Sequence, residues 1–231
     1  MTQDSKQAFL VFDLESTGID VVNDRIVQVV AGIANRQGEI IEHREWFINP
    51  GIPVPKEASD VHGFSDEFLQ ANGSDPATAL GEFRDYFGER CDLPLVAYNA
   101  SFDISMMHYE LKRHGISDSW GSWAKEYVEI FDPYVVDRGM DRYRKGGRKL
   151  FNVAEHYRIA FDPDALHNAK ADVELTAKVA VAVRNKFGRP SNEEQARMHK
   201  NWAKGFKVYL ARQGKPTNDV SEDWPLKGVK E

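Results

Sequence analysis

The sequence predicts an α/β protein in which helices flank a mixed, five-stranded sheet. Two observations point there: three consecutive segments rich in β-branched residues open the chain, and strand-like and helix-like segments then alternate. The first strand is read in the apolar run at residues 8–12, closed by Ser16, Gly18 and Asp20. Residues 25–34 and 40–48 follow as strands, joined as a hairpin through Asn35-Arg36-Gln37-Gly38. Prolines between 50 and 55 break the pattern, and residues 56–70 read as a loop plus a short helix. Residues 78–87 space Leu80, Phe83, Tyr86 and Phe87 helically. Residues 93–98 give a fourth strand, 101–114 a helix, and 128–131 a short fifth strand ahead of Asp132-Pro133. Residues 150–157 and 169–186 are helical, the second with Val173, Ala177, Ala180 and Val181 on one stripe. Ser191 and Glu194 form a capping-box pattern that opens a last helix to about Gln213. On that helix Met198, Trp202, Phe206 and Tyr209–Leu210 share a face, which signals core or docking surface. Residues 1–190 are expected as one domain, and 191–231 as a C-terminal helix and polar tail.

Composition narrows the class. A chain of 231 residues with 42% hydrophobic content can bury one sizeable core. The single cysteine, Cys91, excludes an intramolecular disulfide and a cysteine-ligated metal cluster, and fits a reducing compartment. No window approaches a membrane span and the first residues lack an apolar signal region, so the expectation is a cytoplasmic protein without membrane contact. The net charge of −6 argues against coating nucleic acid through bulk charge, yet the distribution is uneven. Arg138, Arg142, Arg144, Lys145, Arg148 and Lys149 face only Asp141 in a stretch that contains Gly146-Gly147. Such a run is commonly a solvated face; a glycine-containing loop can also mould itself to a phosphate backbone.

The acidic residues carry the chemistry. Asp13 and Glu15 flank Leu14 where the first apolar run ends, and period-two geometry puts both carboxylates on one side. Ser16-Thr17-Gly18 follows as a turn whose backbone can approach a ligand closely. Asp103 and Asp172 each fall in the first turn of a helix, where an acid is favoured by the helix dipole whatever its function. His167 precedes the second of these helices in a polar loop. Oxygen-only ligands at strand ends and helix starts suit hard Mg²⁺ or Mn²⁺ ions. A pair of such ions can support in-line phosphoryl displacement, and a neutral histidine can deprotonate the attacking water.

Three segments, Phe12-Asp13-Leu14-Glu15-Ser16-Thr17-Gly18, Asn99-Ala100-Ser101-Phe102-Asp103 and His167-Asn168-Ala169-Lys170-Ala171-Asp172, resemble the exonuclease motifs of the DnaQ-like (DEDDh) 3′→5′ exonucleases. The resemblance runs from about Ala8 to Lys186, closest to small stand-alone bacterial or phage members. It implies an RNase H-like fold and two-metal hydrolysis using two divalent ions, Mg²⁺ or Mn²⁺. Asp13 would bridge both ions, Glu15 and Asp172 would help hold the water-positioning site, and Asp103 would serve the second ion. His167 would be the base: it stands five residues before Asp172, as in the histidine variant, whereas the tyrosine variant's position holds Asn168. Substrate contacts are implied for Leu14, Thr17, Gly18, Asn99 and Phe102, and for His62 in Val61-His62-Gly63-Phe64. Arg144, Lys145 and Arg148 are candidates for the phosphate track. Two departures, Tyr98 where histidine is common and Ser16 in place of a common threonine, bear on substrate fit. The implied partner is nucleic acid with a free 3′ end, single-stranded DNA first. A polymerase-associated proofreading subunit, with Trp224-Pro225-Leu226 on a flexible end binding the polymerase, and an RNA-directed exonuclease are the alternatives. A non-catalytic nucleic-acid-binding module is disfavoured, because all five motif residues are present.

Overall fold

A computed structural model describes residues 8–117, 120, 124, 126, 128–163 and 168–228. Five strands, β1 (Phe9–Ser16), β2 (Ile26–Ala34), β3 (Ile40–Phe47), β4 (Leu95–Val96) and β5 (Ile130–Phe131), form one sheet in the order β3-β2-β1-β4-β5. β1, β2 and β3 pair antiparallel; β4 and β5 add in parallel beside β1. Eight helices lie among the described residues: α1 (Lys56–His62), α2 (Asp66–Asn72), α3 (Pro76–Gly88), α4 (Ala100–Arg113), α5 (Pro133–Met140), α6 (Leu150–His156), α7 (Ala169–Phe187) and α8 (Asn192–Arg212). The expected mixed sheet flanked by helices is therefore what forms. No helix among the described residues is long and apolar enough to cross a membrane.

Burial follows from position in the sheet. All nine residues of β2 are buried, as its near-continuous apolar sequence requires of a strand covered on both faces. The edge strand β3 exposes Glu42, His43, Arg44 and Glu45, charges that guard an open edge against pairing. The β2–β3 turn is closed by Asn35, whose Oδ1 accepts from the backbone of Gln37 and Glu39. Gly38 has φ +83° there, and a Cβ would lie 2.8 Å from the carbonyl oxygen of Ala177 on α7, so only glycine satisfies both backbone and packing. On one face of the sheet Leu10, Phe12 and Leu14 pack with α3 and α4; on the other Phe9, Val11 and Val30 pack with α6 and α7.

Several boundaries differ from expectation for physical reasons. β1 extends to Ser16, because Asp13 and Glu15 continue the pairing with Val30 and Gln28 of β2. β4 shrinks to two residues, since β1 and β5 offer it matched partners only there. Residues 56–72 form two short helices, parted at Gly63, which has φ +82°. Helix α5 falls where only punctuation was read: Asp132 is its N-cap and Pro133 its first residue. The capping box at Ser191 and Glu194 is present, and α8 begins and ends within a residue of the expected limits.

Candidate active site

The strand pattern places the acids. β4 pairs with β1 only at Leu10 and Val11, so β1 runs on alone past its parallel neighbour. Asp13 and Glu15 lie on that extension, continuing the alternation of Phe9 and Val11 on the face covered by α7. Asp103 is in the first turn of α4, which leaves the carboxyl end of β4, and Asp172 is in the first turn of α7. The site therefore forms at the carboxyl ends of parallel strands, where open α/β sheets leave a crevice.

The four carboxylates feel one another. Burial pushes Asp13 well above the usual carboxylate range, and the charges of Asp103, Glu15 and Asp172 push it further. Burial, then the charge of Asp172, raises Glu15 to about 8. Burial likewise raises Asp103, with Asp132 and Glu15 adding to it and the Lys227 ammonium opposing. A divalent cation is the natural counter-charge for such a group, and oxygen is its preferred donor. Among the described residues no three His, Cys, Asp or Glu side chains are gathered closely enough to grip an ion as they stand. The fit therefore rests on donor chemistry and shared charge.

A cleft of about 570 Å³ opens beside the acids, walled by Asp13, Tyr98, Asn99, Tyr134, Arg148, Lys149, Leu150, Phe151 and Asp172. Tyr98 donates its hydroxyl to the carbonyl of Arg148 at 2.6 Å, so this departure from the family pattern knits the cleft wall. A second cleft, of about 510 Å³, lies by the opposite strand ends; Arg36, Arg184 and Arg189 face Asp92 and Glu129 there, with no motif residue.

The other expected contacts distribute unevenly. Leu14 is buried in the core, and Thr17 donates to Asp24 and accepts from the Arg25 amide. Where Gly18 would carry a side chain, the Asp24 carboxylate fills the space. Asn99 holds the left-handed conformation, φ 66°, that turns the chain from β4 into α4, a conformation asparagine adopts more readily than most residues. Phe102 packs at the core margin with the Lys227 ammonium 5.8 Å from its ring centre. His62 is buried against Phe64, its Nδ1 accepting from the Phe64 amide, outside the cleft wall. His167 lies outside the described residues.

Two expectations are corrected. Arg144 and Arg148 are not free cations on a pliable loop: both pair with the fully buried Asp137, which Tyr157 also contacts at 2.9 Å, although Arg148 still walls the cleft. Burial pushes Asp137 up, but these partners outweigh it and hold it below the usual carboxylate range. Lys145 remains exposed. Nor is Trp224 on a free end. It is 6% exposed in the main core, and its Nε1 donates to Asp132 at 3.3 Å.

Asp132 is the residue that sequence reasoning missed. Fully buried at the end of β5, it accepts from the amides of Asn99 and Ala100 at the start of α4 and of Tyr134 and Val135 in α5. One carboxylate thus fixes the helix that presents Asp103, caps α5 and anchors the tail. The tail continues to Lys227, whose amide donates to Ser105 at 2.8 Å and whose carbonyl accepts from Tyr109 at 3.3 Å. Asp-Pro at a strand end was the available signal for the cap.

Residues 10–180 match the family model described as an exonuclease, RNase T. The chain belongs to this family, the DnaQ-like 3′→5′ exonucleases. The PolC-type DNA polymerase III of Listeria innocua is 32% identical over 162 residues, covering 68% of this chain and 10% of the polymerase. That of Streptococcus sanguinis is 30% identical over 176 residues, covering 76% and 11%. The chain therefore spans about a tenth of the length of these relatives. Among solved structures, E. coli Exonuclease I in complex with a dT13 oligonucleotide superposes with a TM-score of 0.68 at 20% identity, over 89% of this chain and 46% of that one. Exonuclease I of Methylocaldum szegediense gives 0.60 at 21% identity, over 78% and 41%. These structures share the RNase H-like fold.

Proposed function

We propose that this chain hydrolyses the terminal phosphodiester bond at the 3′ end of single-stranded DNA, releasing nucleoside 5′-monophosphates. The observation that carries this reading is that Asp13, in the wall of an open cleft with Asp172, feels the charges of Asp103, Glu15 and Asp172, which come from three separate stretches of the sequence. Asp13, Glu15, Asp103 and Asp172 would hold two divalent ions, Mg²⁺ or Mn²⁺, which when bound offset phosphate charge and lower the pKa of water. Water would attack phosphorus and give its proton to His167, the proposed base, while the bond from phosphorus to the 3′ oxygen of the preceding nucleotide breaks and that oxygen takes a proton from solvent to become the new 3′ hydroxyl. Asp132, through the start of α4, positions Asp103. Lys227, pulled down by burial yet drawn by Asp103 and Asp132, balances charge on the same side.

The test is a time course on 5′-labelled single-stranded DNA, RNA and mismatched duplex, with Mg²⁺, Mn²⁺ or EDTA. Stepwise shortening of DNA that stops in EDTA and in Asp13→Asn supports the reading. Full activity in either condition overturns it, and faster loss of RNA reassigns the substrate. A proofreading role beside a polymerase is favoured by the PolC-type relatives, and co-purification with a polymerase distinguishes it.

A further inference from the structure

The cleft wall supplies Lys149, the Asp137-paired Arg148 and the rings of Tyr98, Tyr134 and Phe151, but a strand longer than the cleft needs further cations and stacking surfaces. Helix α8 offers both. From Arg197 to Arg212 it carries Arg197, Lys200, Lys204, Lys207 and Arg212 and no acidic residue, in a chain of net charge −6. The same stretch bears three stacked rings. Trp202 and Phe206 lie 5.0 Å apart at 16°, and Phe206 and Tyr209 lie 6.1 Å apart at 15°.

This stripe is not what anchors the helix. α8 is seated by Gln195, His199 and Ala203, which are buried, whereas Trp202 and Phe206 stay half-open and Tyr209 is 57% exposed. The rings also connect to the cleft. The Arg138 guanidinium lies 3.5 Å from the Trp202 ring centre and 4.3 Å from that of Tyr134. Tyr134 in turn lies 5.5 Å from Tyr98, and both tyrosines wall the cleft with Asp13 and Asp172. A chain of ring and guanidinium contacts, with Arg138 buried in its middle, therefore links the cleft wall to α8, whose stripe ends on the exposed Tyr209.

We propose that the Trp202–Phe206–Tyr209 face of α8 is a track for single-stranded nucleic acid. Bases behind the terminal nucleotide stack on the rings, while exposed Arg197, Lys200, Lys204 and Arg212 receive phosphates. This deepens the exonuclease reading and rests on it. The tail moderates the track: Glu222 pairs with Lys207 at 3.0 Å and is drawn down by Lys204 and Lys200 as well.

The test is equilibrium binding of the full chain in EDTA to 5′-labelled oligothymidylates of about two, six and twelve nucleotides, followed by anisotropy and by tryptophan quenching. Phe206→Ala with Tyr209→Ala should raise Kd about ten-fold or more for the longest strand, with a penalty that grows with length. Phe206→Tyr with Tyr209→Phe should restore binding, since both keep a ring. Lys200→Gln with Lys204→Gln should flatten the salt dependence, and Glu222→Gln should tighten binding. Because binding is read without turnover, failure of the hydrolytic assay leaves this result separate. Length-independent penalties, unchanged salt slopes, or tight binding by the ring-less variant overturn the track.

Discussion

Replacing Glu15 by glutamine should stabilise the metal-free protein, and the gain should grow with pH. Glu15 titrates ordinarily at 4.5 and is raised to about 8 by burial and then by Asp172. The folded state therefore holds a proton that the unfolded state has released across this window, and stability falls as pH rises through it. At pH 7, two and a half pH units above the ordinary value, the cost is about 3 kcal/mol, each unit corresponding to about 1.4 kcal/mol. Total stability alone conceals the effect. His199, lowered to about 4 by burial and by Arg138, contributes stability that rises with pH up to 6.5 and opposes Glu15. The difference between Glu15→Gln and wild type removes that shared contribution. Urea unfolding in EDTA at pH 5, 6, 7 and 8 should show the variant ahead by under about 1 kcal/mol at pH 5 and by about 3 kcal/mol at pH 7. Saturating Mg²⁺ should reverse the order, because the ion favours the ionised carboxylate and stabilises the wild type by mass action. A difference independent of pH, or one that Mg²⁺ leaves unchanged, refutes a Glu15 carboxyl raised by burial and by Asp172 in a cation site.

Three further outcomes follow from the same contacts. His167→Ala should lower turnover about 10²–10⁴-fold with unfolding unchanged, and the acidic limb of the pH–rate profile should lose its imidazole step; a retained profile would assign the base elsewhere. Arg144→Ala with Arg148→Ala strands the buried Asp137 and should destabilise the fold by roughly 3–5 kcal/mol in urea titration, whereas Lys145→Ala stays within about 0.5 kcal/mol. Equal, small effects would mean that the loop is solvated after all. Trp224→Ala removes a buried ring and a donor to Asp132, with an expected loss of roughly 3–5 kcal/mol; a loss below about 1 kcal/mol would place the tail outside the folded unit.

What could be read from the sequence was whatever depends on neighbours in the chain. The β2–β3 hairpin, the helical stripe of α7 and the capping box of α8 are local patterns, and each formed close to where its pattern lay. Asp103 and Asp172 were likewise legible as first-turn acids, and Asp13 and Glu15 as a pair on one side of a strand. The errors were non-local. A strand of two residues carries almost no periodic signal, so β4 and β5 are defined by their neighbours in the sheet. The basic run reads as free charge until Asp137 is found beneath it, and that aspartate sits on a helix that its own Asp-Pro start announced. Trp224 beside a proline in a polar tail gives no local sign of its partner, 92 residues upstream.

That long-range bond alters how the C-terminal region relates to the family core. The match to the exonuclease family model ends at residue 180, ahead of α8 and the tail, while the superposition on E. coli Exonuclease I covers 89% of the chain and so reaches past that point. Helix α8 and the tail both contact Asp132, beside the candidate site: Gln195 of α8 accepts from its amide at 2.8 Å, and Trp224 donates to its carboxylate. That carboxylate also receives the amides that begin α4, so the tail and the helix that presents Asp103 share one anchor. Lys227 adds a cation near the acids from the same segment. A purely solubilising tail would need none of these contacts, and a buried carboxylate satisfied by five donors is costly to rearrange. The C-terminal segment is thus tied to the foundations of the candidate site, which is the arrangement expected if it carries part of the substrate path.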